Sequence, residues 1–217
     1  MKVRPILTKW ARLALLAILP LLIFGCASVR HVNSNDATID LSENSVLLLK
    51  FTTNNTIAPN FKPRIDKLTL KNISNNKTYR VYFPSSGVDI GQDDKTHHWL
   101  SVYLPAGYYK VERIAGHASA ILMNGQFDFP TTINFNLPER SVVYAGSFGM
   151  TLRNLVRDSS EQRAGSILPL IDQTASGFGK GTFDITVSDN NEDAKAFKLR
   201  KPALATADIV KSIATMP

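Results

Sequence analysis

The chain has 217 residues, 44% of them hydrophobic and 20% charged, with a formal net charge of +7 and a single cysteine. That apolar content excludes a disordered chain, and one cysteine excludes an intramolecular disulfide, so packing alone must hold the fold. Four basic residues and no acidic ones fall within residues 1–25; the remainder carries 21 Lys+Arg against 18 Asp+Glu, a net +3, with no basic stripe interleaved with aromatics of the kind nucleic-acid binding needs.

Lys2, Arg4, Lys9 and Arg12 make a cationic head, Leu13–Phe24 (LALLAILPLLIF) follows without a charge, and Gly25–Ser28 are small. This is the three-part plan of a secretory signal. The apolar run is short of the roughly 20 residues of a bilayer span and is interrupted by Pro20. It is also apolar on every face, unlike a helix at the edge of a core.

Ile23-Phe24-Gly25-Cys26 resembles the lipobox of bacterial lipoproteins, an aliphatic residue and two small ones before an obligatory cysteine; Phe24 is larger than the residue usual at its place. The resemblance implies a diacylglyceryl group on the Cys26 thiol, cleavage between Gly25 and Cys26, and acylation of the new amino group. Two or three chains anchor stably where one is marginal. Ala27 and Ser28 follow, not the aspartate that retains enterobacterial lipoproteins at the inner membrane. For a Gram-negative host this implies outer-membrane sorting. The other readings are an uncleaved N-terminal anchor and an ordinary cleaved signal, which would leave a stray thiol in an oxidising compartment.

Residues 26–44 are rich in Asn, Asp and Ser and read as a lipidated polar tether. Ser45–Phe51 (SVLLLKF) is a continuous apolar run, the pattern of a strand buried on both faces. Period-two alternation then marks Ile65–Asn72, Thr78–Phe83, Trp99–Leu104, Thr131–Leu137 and Thr182–Ser188 as strands. Ser141–Leu152 is a longer strand whose glycines suggest a bulge. Asn54-Asn55, Asn75-Asn76, Ser86-Gly87, Ala106-Gly107 and Asn124-Gly125 punctuate these runs as turns. Helix is expected only at the end. Asp189 caps a segment with acids first and bases last, stopped by Pro202, and a second helix spans about 206–215.

Leu104-Pro105-Ala106-Gly107-Tyr108-Tyr109-Lys110-Val111 is similar to the turn-and-strand of transthyretin-like and carboxypeptidase-regulatory-like β-sandwich modules. Over about eight residues, the resemblance implies a sandwich and a tendency towards binding or structural roles.

Four groups of residues invite a chemical reading. Ala145-Gly146-Ser147-Phe148-Gly149 is close to a nucleophile elbow, but all four histidines (His31, His97, His98, His117) precede Ser147, and no strand-to-helix turn is expected there. Gly177–Thr182 (GFGKGT) lacks the G-x-x-x-x-G-K-[ST] spacing of a phosphate loop and reads as a flexible loop. His97-His98 with Asp93 and Asp94 is the one cluster resembling a metal site, yet neighbours on a strand point to opposite faces. Trp99, Tyr103, Tyr108, Tyr109, Phe127 and Phe129 read as sandwich core, or, where exposed, as a contact surface.

The expectation is a mainly β chain: a signal peptide over 1–25, a lipidated tether over 26–44, an antiparallel β-sandwich of one or two subdomains over 45–188, and a short helical C-terminus over 189–217. Its expected role is a non-enzymatic binding or structural module of the cell envelope, membrane-bound through Cys26, with an envelope protein or glycan as partner. No catalytic residue, cofactor, metal or nucleic acid is implied. The alternative is an envelope hydrolase acting on peptidoglycan or lipid.

Overall fold

The structure, a computed structural model, describes residues 27–120, 122–156, 159–165 and 171–216. The strands are β1 (Ala27–Ser28), β2 (Ser45–Asn55), β3 (Arg64–Asn72), β4 (Lys77–Tyr82), β5 (Val88–Ile90), β6 (Thr96–Leu104), β7 (Gly107–Ala120), β8 (Met123–Leu137) and β9 (Val142–Asn154). After helix α1 (Ile171–Ala175) come β10 (Gly181–Ser188), helix α2 (Asn191–Arg200) and β11 (Ile209–Lys211). The first sheet has the order β1-β4-β3-β7-β8; the second is β10-β9-β2-β6-β5, with β11 also on β9. Pairing is antiparallel except at β1–β4, β2–β9 and β11–β9. The mainly β, mostly antiparallel sandwich with a short helical C-terminus expected from the sequence is the fold observed.

The continuous apolar run of β2 is explained by its place at the centre of the second sheet. Leu47, Leu49 and Phe51 point between the sheets, where they join Leu68 and Leu70 of β3, Tyr109 and Val111 of β7, and Phe148 of β9. Val46 and Leu48 point the other way, into a second cluster with Tyr144, Phe197 of α2, Leu204 and Val32. The named members of both clusters all follow Cys26, so the chain beyond it carries its own core.

β9 holds the expected bulge. Leu48 and Lys50 of β2 face Tyr144 and Ser147 of β9, leaving Ala145 and Gly146 against one residue, and Gly146 takes a φ of +116° that a side chain rarely adopts. The Pro105–Gly107 turn joins β6 to β7; Gly107 has φ +147° over the Asn72 side chain, and the Tyr109 hydroxyl donates to the Pro105 carbonyl at 2.7 Å.

Two expectations are corrected by one physical cause, an unfilled strand edge. β5 covers only Thr96–His98 of the β6 edge, so the segment expected as a free tether is drawn onto the rest. The Val32 N–H donates to Ser101 O, Arg30 O accepts from Tyr103 N–H, and Val32 is fully buried. At β9, β10 covers residues 147–154 and leaves 142–144 open. The stretch expected as a second helix fills that edge as β11, then bridges Asn134 through Thr215. Its β-branched Ile209, Val210 and Ile213 favour extended backbone once an edge is on offer. For a different reason Asn54-Asn55 is the end of β2, not a free turn: the buried Asn55 side chain accepts from Ile57 and Ala58 N–H and donates to Phe61 and Ser176 carbonyls. Asn124-Gly125 lies inside β8.

Helix α2 forms where expected but is capped one residue later. The Asn190 side chain accepts from the Glu192 N–H, while Asp189 pairs with Lys211 at 2.8 Å.

Candidate functional site

Cys26 and Gly25 lie outside the described residues. Ala27, the next residue, pairs with Tyr79, and Ser28 with Arg80, at the edge of the first sheet.

β6 carries the two adjacent histidines to opposite faces, as strand geometry requires. His98 turns inward and is fully buried; its Nε2 accepts from the Ile65 N–H at 2.9 Å, and its ring stands edge-on to Phe83 at 5.7 Å. Burial first, then the nearby Arg64 charge, pushes its pKa down to about 3. The folded state therefore holds His98 neutral while an unfolded chain takes up a proton below pH 6.5. A histidine with a depressed folded pKa loses stability as pH falls, and this contribution is fully retained above pH 6.5. Between pH 6.5 and 5, where carboxylates change little, the loss should reach about 2 kcal/mol. Urea midpoints across that window check it, and His98→Gln, which can still accept from Ile65, should remove most of the slope, leaving the part due to His31, whose pKa burial also lowers.

His97 turns outward. Its Nδ1 lies 3.0 Å from Thr52 Oγ1 and its Nε2 3.2 Å from Asp93 Oδ1. A hydroxyl, an imidazole and a carboxylate in line have the order of a nucleophile, base and orienting acid. They sit, however, on the outer face of paired strands, where the backbone N–H groups of β2 and β6 are committed to the ladder and none is turned up to stabilise an oxyanion. Asp94 does not join them; it pairs with Lys62. Among the described residues no group of three or more His, Cys, Asp or Glu side chains is placed to hold a metal ion.

Ser147 is part of β9, which runs on to Asn154 without turning into a helix, and its carbonyl accepts from Ser188 Oγ. The stretch from Gly177 is a hydrogen-bonded turn rather than a flexible loop. The Gly177, Gly179 and Lys180 N–H groups donate to Thr174, Gln173 and Gly177 carbonyls, and Phe178 is fully buried, which leaves no cradle for phosphate. Of the six aromatics, Tyr109, Phe127, Phe129 and Tyr103 are core; Tyr108 is exposed.

Trp99 lies under two cations, the Lys50 ammonium at 4.8 Å and the Arg200 guanidinium at 4.5 Å, with Phe197 edge-on at 5.1 Å. Lys50 reaches the buried Asp193 of α2 at 2.8 Å, and the Tyr144 hydroxyl donates to the other carboxylate oxygen at 2.9 Å. This network fastens α2 to the second sheet. Its signal in the sequence was a lysine inside an apolar run.

Two clefts of useful size open on the surface. One, of about 480 Å³, lies beside the N-terminal segment and is lined by Arg30, Asp40, Glu43, Lys77 and Tyr103. The other, of about 460 Å³, is lined by Lys62, Arg64, Asp89, Thr96 and His117. The second also holds Ser119, but its acid and base are engaged elsewhere, Asp89 with Arg200 and His117 with Asp66, and no hydrogen bond joins either to Thr96 or Ser119. Among the described residues no helix is long and apolar enough to cross a membrane.

The class that the fold defines is thus a mainly β sandwich with an open first sheet and a second sheet backed by a helix. No family model matches the chain and no curated protein matches it. A solved leucine-rich repeat protein from Bacteroides thetaiotaomicron is similar over 51% of this chain and 14% of its own, with 16% identity and a TM-score of 0.37, a likeness too slight to carry any argument.

Proposed function

We propose that the chain is a lipid-anchored protein of the bacterial cell envelope, held through Cys26 and acting as a non-enzymatic binding or structural module. In a Gram-negative cell its place is the outer membrane. The observation that carries the reading is the cationic head, apolar run and Ile23-Phe24-Gly25-Cys26 sequence in immediate succession. The residues from Ala27 onward form two apolar clusters and both sheets among themselves, which agrees with a mature chain that begins at Cys26. Anchoring confines the search for a partner to a surface, so a weak interface with an envelope protein or glycan suffices. The hydrolase alternative is disfavoured by the flat setting of Thr52, His97 and Asp93.

The test is the intact mass of the mature product from the full-length chain in a bacterial host, beside Cys26→Ala. A product beginning at Cys26, heavier by two or three acyl chains and absent from the variant, is expected. Equal mass apart from the substitution would overturn the anchored reading.

A further inference from the structure

We infer that the outer face of the first sheet is a docking surface for the anionic, phosphate-bearing headgroups of the membrane itself. β3, β4, β7 and β8 carry seven Lys and Arg side chains against three Asp and Glu. The whole chain after the leader has an excess of only three cations, so these strands account for all of it. None of these charged residues is buried, and by strand alternation Lys67, Lys71, Arg80, Lys110 and Arg113 are turned away from the core, whereas Lys77 shares the side of Tyr79 and Val81 and lines a cleft at the sheet's edge.

The cations are not evenly neutralised. Asp128 pairs with Arg113 and Asp66 with His117, leaving Glu112, at the β7 bulge, as the remaining carboxylate. On this face Lys67, Lys71 and Lys110 have no carboxylate within ion-pair distance among the described residues. Lys71 and Lys110 stand directly opposite each other on β3 and β7, an arrangement of like charges that destabilises a sheet unless an anion lies between them. A phosphate oxygen is such an anion.

Two further features fit a membrane. Tyr82 and Tyr108, 58% and 44% exposed, stand on the same face, and Ile73, 48% exposed, tips the adjoining β3–β4 turn, whose N–H donates to the Tyr108 carbonyl. Tyrosine is the side chain suited to a headgroup boundary. The strands of this sheet contact one another, the opposite sheet and α1, and no element among the described residues is laid across their outer side. β1, which begins one residue after Cys26 in the sequence, is the edge strand of the same sheet and so lies at the rim of the cationic face. With strands about 4.8 Å apart, the far edge, β8, is only about 20 Å away. Anchor and face then act as the two signals that stable membrane attachment needs, a lipid chain and a basic patch. The sheet lies along the bilayer, and the second sheet with α2 is presented outward to partners.

This deepens the anchored function proposed above, but its test does not depend on acylation. The chain from residue 26 with Cys26→Ser, which contains both clusters and cannot be acylated, is floated with vesicles of phosphatidylcholine alone and of phosphatidylcholine with roughly a third phosphatidylglycerol. Binding to the anionic vesicles only, abolished by high salt, is expected. Lys71→Glu with Lys110→Glu should weaken it by about tenfold or more, and Lys195→Glu, an exposed cation on α2, should leave it unchanged. Equal binding to neutral vesicles, no binding at low salt, an equal loss with Lys195→Glu, or preference for soluble polyphosphate over vesicles would each overturn the assignment. Failure here beside an acylated mature product would leave the anchor standing without the face. Binding here beside an unacylated product would leave the face without the anchor.

Discussion

Asp193→Ala is expected to destabilise the fold by about 3 kcal/mol or more, the range for removing one partner of a buried ion pair. Asp193 is 2% exposed, and its two oxygens serve Lys50, Asn190 and the Tyr144 hydroxyl. Truncation strands the Lys50 ammonium, whose side chain is only 15% exposed, beneath α2, and leaves the Tyr144 hydroxyl unpaired in a buried setting. Asp193→Asn keeps an acceptor for Tyr144 and removes the charge, so it should cost roughly half as much. Urea denaturation read by Trp fluorescence follows both, because Trp99 lies against Lys50, Phe197 and Arg200. A loss below about 1 kcal/mol for Asp193→Ala would mean that α2 is held by Phe197 alone.

Phe148→Ala is expected to cost about 3–5 kcal/mol, the range for removing a large aromatic from a closed core. Phe148 is fully buried and stacks on Phe51 at 4.8 Å with a 21° interplanar angle, and Phe51 meets Phe83 edge-on at 5.9 Å. The three rings come from β9, β2 and the residue after β4, so they tie the sheets together across the sandwich. Phe148→Leu refills most of the volume and should cost much less. A calorimetric scan separates the two outcomes; a similar fall in Tm for both variants would show that ring stacking, not volume, is what the site requires.

Both networks were only partly visible beforehand. The strands that read clearly were those with strong alternation or an unbroken apolar run, such as Leu68 and Leu70 of β3 or Leu47 to Phe51 of β2. The long β7–β8 hairpin did not read as a pair. Gly116, Ala115, Ala118 and Ser119 give β7 almost no hydrophobic contrast, and the first half of β8, where Phe127 and Phe129 alternate with Gln126 and Asp128, did not read as strand because Asn124-Gly125 has the composition of a turn. The opposite directions of His97 and His98 followed from strand geometry alone. The company each keeps did not, because Ile65 and Thr52 come from other strands.

The cationic sheet face shows the same division from another side. In the sequence Lys67, Lys71 and Lys110 are spread over more than forty residues and form no run. Only antiparallel pairing sets Lys71 beside Lys110 and places both on the sheet whose edge follows Cys26.

The sequence by itself determined the class of fold, the bulge in β9 and the helix before Pro202, because period, turn chemistry and capping are local properties. Tertiary structure decided the fate of residues 29–32 and 209–211, the partner of Lys50 and the gathering of charge on one sheet. Each of these depends on which strand edges and faces remain unfilled once distant segments have paired, and that information resides in no single stretch of chain.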